Sequence, residues 1–405
     1  MAKVVVLGGC GAVGNVAVKT LAGKNDFSEV VIGDINIDRA NRLVKEFASP
    51  KISAVRVDAL DPVSVKATIA GADVVLNCTG PFYLFVPVIL KAVIESGVNY
   101  VDVCDDVDVT LEIMKMSDAA KAAGVTALIG MGSSPGVTNV IAKFAADMLL
   151  DEIESVDIYH AHGGEPFEGA GVIEHRFHCM TIDCPQYLDG ELKTVKFFEP
   201  DGVALREKVD FHLIGKDFTV YPYPHPEQVT IPQFIKLRRV TNKGTVLPDE
   251  YYDMIKDICR LGLHSKEPVD VKGQSIRPYD FSIQFIIRER ERILKETNFG
   301  VQRGCVKIVT AGKKKGKNHK YIFSMASQGE ALGEGTGIPA AMGATLVQRG
   351  KVNKKGIFPP EGCVNPMDFL GIMGEFVGKD KGDKTFEKLL IESIDHEGKV
   401  SRIDL

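Results

Sequence analysis

Val4-Val5-Val6-Leu7 runs directly into Gly8-Gly9-Cys10-Gly11-Ala12-Val13-Gly14, and this stretch decides the fold. Its apolar, mostly β-branched residues predict a buried strand, and three glycines then follow the G-x-G-x-x-G pattern that opens a helix. The first glycine allows the turn off the strand, the second admits a pyrophosphate close to the backbone, and the third lets the helix pack closely on the sheet. Backbone N–H groups at the start of that helix favour phosphate binding. The stretch therefore predicts a dinucleotide-binding loop formed by Gly9, Gly11, Ala12, Val13 and Gly14.

A second predicted strand, Val30–Gly33, ends in Asp34, twenty residues after Gly14. A carboxylate at this position accepts hydrogen bonds from the ribose hydroxyls of the adenosine and repels a 2′-phosphate. The sequence therefore predicts NAD as the cofactor and disfavours NADP.

The composition is that of an ordinary globular protein. The chain has 405 residues, enough for two domains with substantial cores, and 25% of them are charged. A net charge of -5 argues against nucleic acid or an anionic membrane surface as a partner, and the basic run at 313–317 predicts a hairpin turn. No apolar stretch is long enough to span a bilayer, and the eight cysteines lack paired spacing, so we expect reduced thiols in a cytoplasmic protein.

Residues 1–150 alternate strand and helix patterns at short intervals, which is typical of βαβ units in a parallel sheet. We predict a Rossmann-type, doubly wound α/β domain there, including one long helix over 111–123. Longer strand patterns over 151–330 predict a substrate domain of the α+β class with a mostly antiparallel sheet. A helix of small residues over 340–348 suggests that 331–405 packs back on the first domain. The second domain is thus predicted to be inserted.

Several motifs resemble the saccharopine dehydrogenase superfamily, which includes saccharopine reductases, lysine 6-dehydrogenases and carboxynorspermidine dehydrogenases. Besides the glycine loop, they are Asn-Cys-Thr-Gly-Pro-Phe-Tyr at 77–83, Tyr-Val-Asp at 100–102, Gly-Ser-Ser-Pro-Gly-Val-Thr-Asn at 132–139, and a tail from Thr336-Gly337-Ile338-Pro339 to Glu361. They span nearly the whole chain in the family's order. The resemblance implies a dehydrogenase acting on a C–N bond of a small amino-acid substrate, and a homodimer to which the second domain contributes.

Two features depart from that family. Family members often have a single acidic residue where this chain has Ser133-Ser134 before Pro135, and residues 175–184 and 221–226 match no member. Most of these departures fall in the predicted substrate domain. We therefore expect this chain to share the reaction type of the family more closely than its substrate.

The loops that follow the parallel strands supply the remaining cofactor contacts, because ligands of such sheets bind beyond the carboxyl ends of the strands. Asp58 and Ala59 follow the third strand and would meet the adenine, although Asp58 equally suits a helix entry. Thr79, Gly80 and Pro81 follow the fourth strand and would lie beside the pyrophosphate and the nicotinamide ribose. Tyr83 would close over the substrate or serve as a half-buried core residue.

Proton transfer at a C–N bond requires an acid or base near the nicotinamide, where the fifth strand should end. The candidate catalytic residues there are Asp102, Cys104 and Asp105. The alternative for Asp105 and Asp106 is that one of them caps the following helix.

The substrate carboxylate needs hydroxyl, backbone N–H or guanidinium donors. Ser133 and Ser134 stand before a predicted helix and would supply such donors, or Ser134 would simply cap that helix. Arg176 and Arg277 are our candidates for a two-pronged clamp, against a surface role for each. No metal is expected, because His175, His178, Cys179 and Cys184 match no zinc spacing and a strand would point the two histidines to opposite faces.

We therefore expect an NAD(H)-dependent oxidoreductase acting on the C–N bond of an amino acid or its imine adduct. Two alternatives are an NAD-dependent aminoalkyl transferase of the homospermidine synthase kind and a non-catalytic NAD-binding regulator. The transferase would produce no net NADH, and the regulator would bind NAD without supporting turnover.

Overall fold

The computed structural model describes residues 2–165, 168–328, 332–376 and 389–403. Strands and helices alternate regularly over the first part of the chain, as the sequence predicts. In order they are β1 (Lys3–Leu7), α1 (Ala12–Ala22), β2 (Glu29–Asp34), α2 (Ile37–Phe47), β3 (Ile52–Arg56), α3 (Pro62–Ile69), β4 (Val74–Asn77), α4 (Phe82–Glu95), β5 (Asn99–Asp102), α5 (Val107–Met114), α6 (Ser117–Ala122), β6 (Thr126–Leu128), and α7 (Val137–Phe144) with a π-helical turn over Ala145–Leu149.

Longer strands dominate the middle of the chain. Its elements are β7 (Glu152–Gly163), α8 (Ala170–Thr181), β8 (Cys184–Leu188), β9 (Glu191–Val195), α9 (Pro200–Ala204), β10 (Glu207–Phe211), β11 (Gly215–Pro222), α10 (Glu227–Phe234), β12 (Arg239–Leu247), α11 (Asp249–Arg260), β13 (Val269–Val271), β14 (Gln274–Ile276), α12 (Pro278–Glu296), β15 (Arg303–Lys314) and β16 (Lys317–Gln328). The lysine-rich run joins β15 to β16 as the predicted hairpin turn.

The last part of the chain returns to helices before two final strands. It contains α13 (Leu332–Gln348), β17 (Gly356–Phe358), α14 (Pro360–Cys363), α15 (Pro366–Phe376), β18 (Leu389–Ile394) and β19 (Val400–Ile403). Among the described residues, no helix combines the length and the apolar character that crossing a bilayer requires.

The first sheet contains seven parallel strands in the order β17-β6-β5-β4-β1-β2-β3. Alternate residues of β1 enter different cores: Val4 and Val6 pack in one apolar cluster, and Val5 and Leu7 in the other. Side chains of a strand alternate between the faces of the sheet, so helices cover both faces. This confirms the predicted doubly wound architecture.

Two predicted helices have different bounds. The helix expected over 111–123 is two helices, α5 and α6, separated at Lys115 and Met116. The helix expected over 340–348 begins eight residues earlier and contains glycines. These glycines serve packing: a Cβ on Gly333 would lie 2.5 Å from the Ala12 carbonyl oxygen, and one on Gly337 would lie 2.7 Å from that of Val13. They therefore let α13 approach α1 closely.

The second sheet has the order β10-β11-β12-β7-β15-β16-β18-β19, with β8 attached to β12 and β9 to β8. Its pairs are antiparallel except for β7 with β12, so the expected mostly antiparallel sheet is confirmed. The grouping of all of 331–405 with the first domain is wrong for the last strands. Whereas β17 joins β6 in the first sheet, β18 pairs with β16 and places Ile391 in the core of the second.

Candidate active site

The turn after β1 is made by Gly8 rather than by Gly9. Gly8 has a φ of +71°, and a Cβ there would lie 2.8 Å from the Cys78 carbonyl oxygen. Gly9 instead packs against Ile32, where a Cβ would come within 2.9 Å. A Cβ on Gly14 would overlap the Gly8 carbonyl, so Gly14 has the predicted packing role.

Gly11 stands at the N-cap of α1, with Ala12 and Val13 as the first helical residues. Gly11 has no side chain that could cap this helix, so its first backbone N–H groups are available to an anion. Asp34 lies directly beside the loop: its Oδ2 accepts a hydrogen bond of 3.0 Å from the Cys10 N–H, and its Oδ1 accepts one of 2.9 Å from the Asn36 N–H. The carboxylate is therefore held in place before any ligand binds.

The next strand ends meet the same edge of the sheet. Asp58 accepts a hydrogen bond from the Leu60 N–H at 3.0 Å, which is a local turn contact, and Ala59 packs against the second core cluster of the first sheet. Thr79 has a buried hydroxyl without a hydrogen-bond partner among the described residues. Gly80 and Pro81 line the large cleft described next.

A cleft of about 940 Å³ lies between the ends of the first-sheet strands and the second sheet. Its first wall comes from the loops after β4, β5 and β6 and from the start of α1. Its second wall comes from β7, α8, β15, β16 and the segment after β11. The beginning of α13 contributes a third side. Two sheets thus face one cavity large enough for a cofactor and a substrate.

Of the three candidate catalytic residues, only Asp105 lines the cleft. Asp102 is fully buried and accepts hydrogen bonds from the Gly130 N–H at 2.7 Å and the Cys104 N–H at 3.1 Å. Burial raises the pKa of Asp102 to about 6 and raises that of Cys104 well above its ordinary value. Asp102 therefore ties the ends of β5 and β6 together. The structure places neither Asp102 nor Cys104 in contact with the cleft.

His175 was not predicted as a site residue, and it lies beside Asp105. Its Nδ1 is 3.2 Å from Asp106 Oδ1, and its Nε2 is 3.7 Å from Asp105 Oδ2 and 3.4 Å from Cys179 Sγ. Burial opposes protonation, but Cys179 and Asp105 raise the pKa of His175 well above its ordinary value. Asp106 stands at the N-cap position of α5 without a side-chain capping bond.

Residues 175–178, which were expected to form a strand, belong to helix α8, so that expectation was wrong. Among the described residues, Asp105, Asp106 and His175 are close enough together to hold an ion. A histidinium between the two carboxylates offsets one of their two negative charges and accounts for the short contacts without a metal. The absence of a metal stays a prediction.

The two arginines proposed to clamp the substrate carboxylate lie in different environments. Arg277 lies on the surface, where it pairs with Asp280 at 2.7 Å and does not reach the cleft, so this prediction was wrong. Arg176 does line the cleft. However, it is buried against Glu168 and donates to the Tyr251 hydroxyl at 2.9 Å, and Arg290 contacts the same glutamate. Arg176 is therefore already neutralised.

Arg303, which the sequence analysis missed, opens β15 and lines the cleft. Its Cζ lies 4.3 Å from the centre of the Phe299 ring, so the guanidinium is stacked in a defined position. Its Nε is buried without a hydrogen-bond partner, and no described carboxylate forms an ion pair with it. An arginine whose donors remain unmatched is well suited to a carboxylate ligand.

The Ser133–Asn139 turn reaches the cleft through Ser133 and Ser134. Ser134 does not cap α7, because Gly136 occupies the N-cap and the Asn139 side chain accepts from its N–H at 2.8 Å. Instead, Ser134 Oγ donates to Glu227 Oε1 at 2.6 Å and lies 3.4 Å from His225 Nδ1. Ser134 and Glu227 are far apart in the sequence, so no local pattern indicated this contact.

His160 forms the floor of the cleft beside His225. The two rings stack at 5.8 Å, and Tyr223 meets His160 edge-on at 4.9 Å. Gly244 lies opposite His160 in the neighbouring strand, and a Cβ there would overlap the imidazole. Burial lowers the pKa of His160 well below its ordinary value, so this ring is neutral.

Tyr83 lies outside the cleft lining. Its backbone N–H donates to Asp106 Oδ2 at 3.1 Å, and its ring stacks on His178 at 5.2 Å. Its position fits a support for the Asp106 loop, and its contact with the substrate stays a prediction.

Comparison with known proteins gives consistent matches. Residues 4–128 match the family model described as the saccharopine dehydrogenase NADP binding domain. The chain is 26% identical over 400 residues to carboxyaminopropylagmatine dehydrogenase of Synechocystis sp., covering 93% of this chain and 96% of the relative. It is 27% identical over 399 residues to carboxynorspermidine synthase of Vibrio cholerae, covering 90% and 93%.

Among solved structures, apo histidine-tagged saccharopine dehydrogenase (L-Glu forming) from Saccharomyces cerevisiae superimposes with a TM-score of 0.67. The sequence identity is 17%, and the match covers 99% of this chain and 100% of that one. The likeness therefore concerns the fold, including both sheets.

Proposed function

We propose that this chain, a nicotinamide-dependent oxidoreductase of C–N bonds that resembles the saccharopine dehydrogenase superfamily, acts on a carboxylated polyamine or the corresponding imine. Such a molecule is a secondary amine with an amino-acid carboxylate near one end and cationic nitrogens toward the other. The observation that carries the proposal is Arg303 in the cleft wall, whose buried Nε has no hydrogen-bond partner among the described residues.

The opposite charge of such a substrate also has counterparts in the cleft. Asp105 and Glu334 both line it, and each has a buried carboxylate oxygen without a hydrogen-bond partner among the described residues. An anionic ligand group suits Arg303, and a cationic nitrogen suits these carboxylates. Both curated relatives are named after amines that carry a carboxyl group, which supports the same substrate class.

The cofactor-binding residues in this proposal are the glycine loop with Ala12 and Val13, Asp34, Asp58 and Ala59, and the loop of Thr79, Gly80 and Pro81. The N-terminus of α1, where Gly11 supplies no side-chain cap, fits a pyrophosphate. A bound nicotinamide cofactor would supply or accept the hydride. We propose NAD as the preferred form because Asp34 is held at the end of β2, where the adenosine ribose binds in this fold.

A matched pair of amines tests the substrate class. Purified protein is incubated with NAD or NADP and either carboxynorspermidine or norspermidine, which differ in the carboxyl group, and absorbance of the reduced cofactor is followed. We expect turnover with the carboxylated amine and little with the other. Equal rates would contradict the role given to a carboxylate, and binding without any net reduced cofactor would favour the transferase or regulator alternatives.

Replacing Arg303 tests the carboxylate contact. Arg303→Lys keeps the charge but loses the two-pronged donor, and we expect the KM for the carboxylated amine to rise by about ten-fold or more, from a loss of roughly 1.5–3 kcal/mol. The Kd for NAD should change little, because Arg303 belongs to the second sheet. Arg277→Lys serves as a matched surface control. An unchanged KM in Arg303→Lys would remove this residue from the site.

A further inference from the structure

His225 is the one cleft histidine with both a charge partner and an unengaged nitrogen near the first-sheet loops. Its Nδ1 lies 3.1 Å from Glu227 Oε2 and 3.4 Å from Ser134 Oγ. Its Nε2 has no hydrogen-bond partner among the described residues, and the residue lines the cleft. The imidazole is thus anchored through Nδ1, and Nε2 is left for a ligand in the cleft.

Glu227 is completely buried at the start of α10, yet its carboxylate is fully supported. Ser134 donates to Oε1 at 2.6 Å and Thr138 donates to the same oxygen at 2.8 Å, while His225 contacts Oε2. Burial opposes ionisation, but His225 and the Ser134 hydroxyl hold the pKa of Glu227 below its ordinary value. A buried anion with such partners remains charged and stabilises a cationic neighbour.

The partners of Glu227 come from the motif at 132–139, which the substrate proposal does not fully explain. Asn139 bridges further, donating from Nδ2 to Glu361 Oε2 at 2.8 Å. Glu361 therefore positions Asn139, and the turn at 132–139 that contains Asn139 also positions Glu227. A connected network of five polar side chains thus fixes the His225 imidazole: Ser134, Thr138, Asn139, Glu227 and Glu361.

The other cleft histidines are less suited to deliver a proton. His175 has both nitrogens engaged by Asp105, Asp106 and Cys179. The Nε2 of His160 is buried without a partner, and that ring is neutral. His162 lies on β7, next to the strand that carries Arg303, and its Nδ1 is 3.0 Å from Glu165 Oε1.

We propose that His225, charged by Glu227 and held by Ser134, is the catalytic residue that protonates the substrate nitrogen. This rests on the proposed imine reduction. The C=N π bond breaks, its carbon gains the hydride that the cofactor supplies, and its nitrogen gains the proton from His225 Nε2, giving a secondary amine. His225 becomes neutral and recovers a proton from solvent through the open cleft. Glu227 is a positioning residue, since it acts through His225.

The charged state of His225 depends on every titratable group that faces it. Burial opposes its charge, but Glu227 outweighs this and raises the pKa of His225, with Asp105 acting in the same sense and His175 against it. His160 and Tyr223 also pack against the ring. Protonated His225 is the active form in the reductive direction, so the rate falls as pH rises through its pKa.

The test compares pH profiles of reductive kcat/KM. In Glu227→Gln, which keeps the shape and removes the charge, the falling limb should move to lower pH by about one to three units. His225→Asn should lose the limb and at least about 100-fold of kcat. His162→Asn is the matched cleft histidine and should leave the limb where it is in the wild type. NMR titration of labelled histidine gives a second readout that does not depend on turnover.

The outcomes separate this inference from the proposed function. If wild type reduces no imine, the proposed function fails. If wild type is active but His225→Asn keeps both kcat and the limb, the inference is overturned. It is also overturned if NMR shows the same His225 pKa in wild type and folded Glu227→Gln.

Discussion

At the scale of single residues, Asp34 should set the choice of cofactor. Both of its oxygens are already oriented by backbone N–H groups, so a 2′-phosphate would meet a fixed like charge. Such repulsion is on the order of several kcal/mol at a partly buried site. We expect Asp34→Ser to raise the Kd for NAD about ten-fold and to lower the Kd for NADP, as measured by fluorescence titration. Equal use of both cofactors by the wild type would contradict this.

The buried carboxyl group of Glu361 should make the free energy of unfolding depend on pH. Burial raises the pKa of Glu361 from 4.5 to about 7, with the charge of Glu227 adding to the shift. Between these pH values the folded chain holds a proton that the unfolded chain has lost. The free energy of unfolding therefore falls as pH rises from 4.5 to 7, by on the order of 3 kcal/mol, and levels off above.

Glu361→Gln keeps the shape without the titration. Its Tm relative to wild type should thus increase between pH 5 and pH 8. Asp102 titrates in the same window in both proteins, so the difference between the two curves isolates Glu361. Parallel curves would show that Glu361 does not titrate there.

Some side-chain contacts of the site cannot be read from the sequence. Arg277 is followed three residues later by Asp280, a spacing that signals a local ion pair and would have excluded it from the clamp. Nothing local marks Arg303 as unmatched. Ser134 and Glu227 are 93 positions apart, and Asn139 and Glu361 are 222 apart. Only the folded chain brings such pairs together.

At the scale of elements, strands β7 and β12 run parallel with Gly244 opposite His160. Because the imidazole occupies the space of a Cβ, Gly244→Ala must displace it. We expect a loss of roughly 1–3 kcal/mol in the free energy of unfolding and a clear drop in kcat/KM. In a His160→Ala background the same change should cost almost nothing, because the ring is gone. Denaturant unfolding of the four proteins measures this coupling, and additive effects would contradict it.

Elements of the first sheet were predictable because their signals are local. Short sequence segments are enough to predict buried strands of four to six residues, glycine turns and N-caps. Asp61 is one such N-cap, and its side chain accepts a hydrogen bond from the Val63 N–H. The segment at 175–178 was misjudged as a strand, since its own residues do not decide between helix and strand. Packing of Phe177 and Met180 in the core under α11 and α12 decides it.

At the scale of the whole molecule, we expect the homodimer that the resemblance implies. The region around the β13–β14 hairpin exposes several large apolar side chains, including Leu261 at 71% and Phe281 at 60%. Light scattering should give a mass near twice the 44.1 kDa of one chain. Phe281→Glu should weaken this association if the region forms the contact, whereas Leu60→Glu, on the first domain, should not. A monomeric wild type would overturn the expectation.

The return of the chain to the second sheet has one more consequence. Strand β16 is twelve residues long, and β18 covers six of its positions along the side away from β15. Without β18 and β19, that side would present a row of unsatisfied backbone N–H and C=O groups on an apolar ladder. Such an edge is a template for strand addition by another chain. Strands β18 and β19 thus cover this edge, and we expect a variant without residues 389–403 to aggregate although its first sheet can still form.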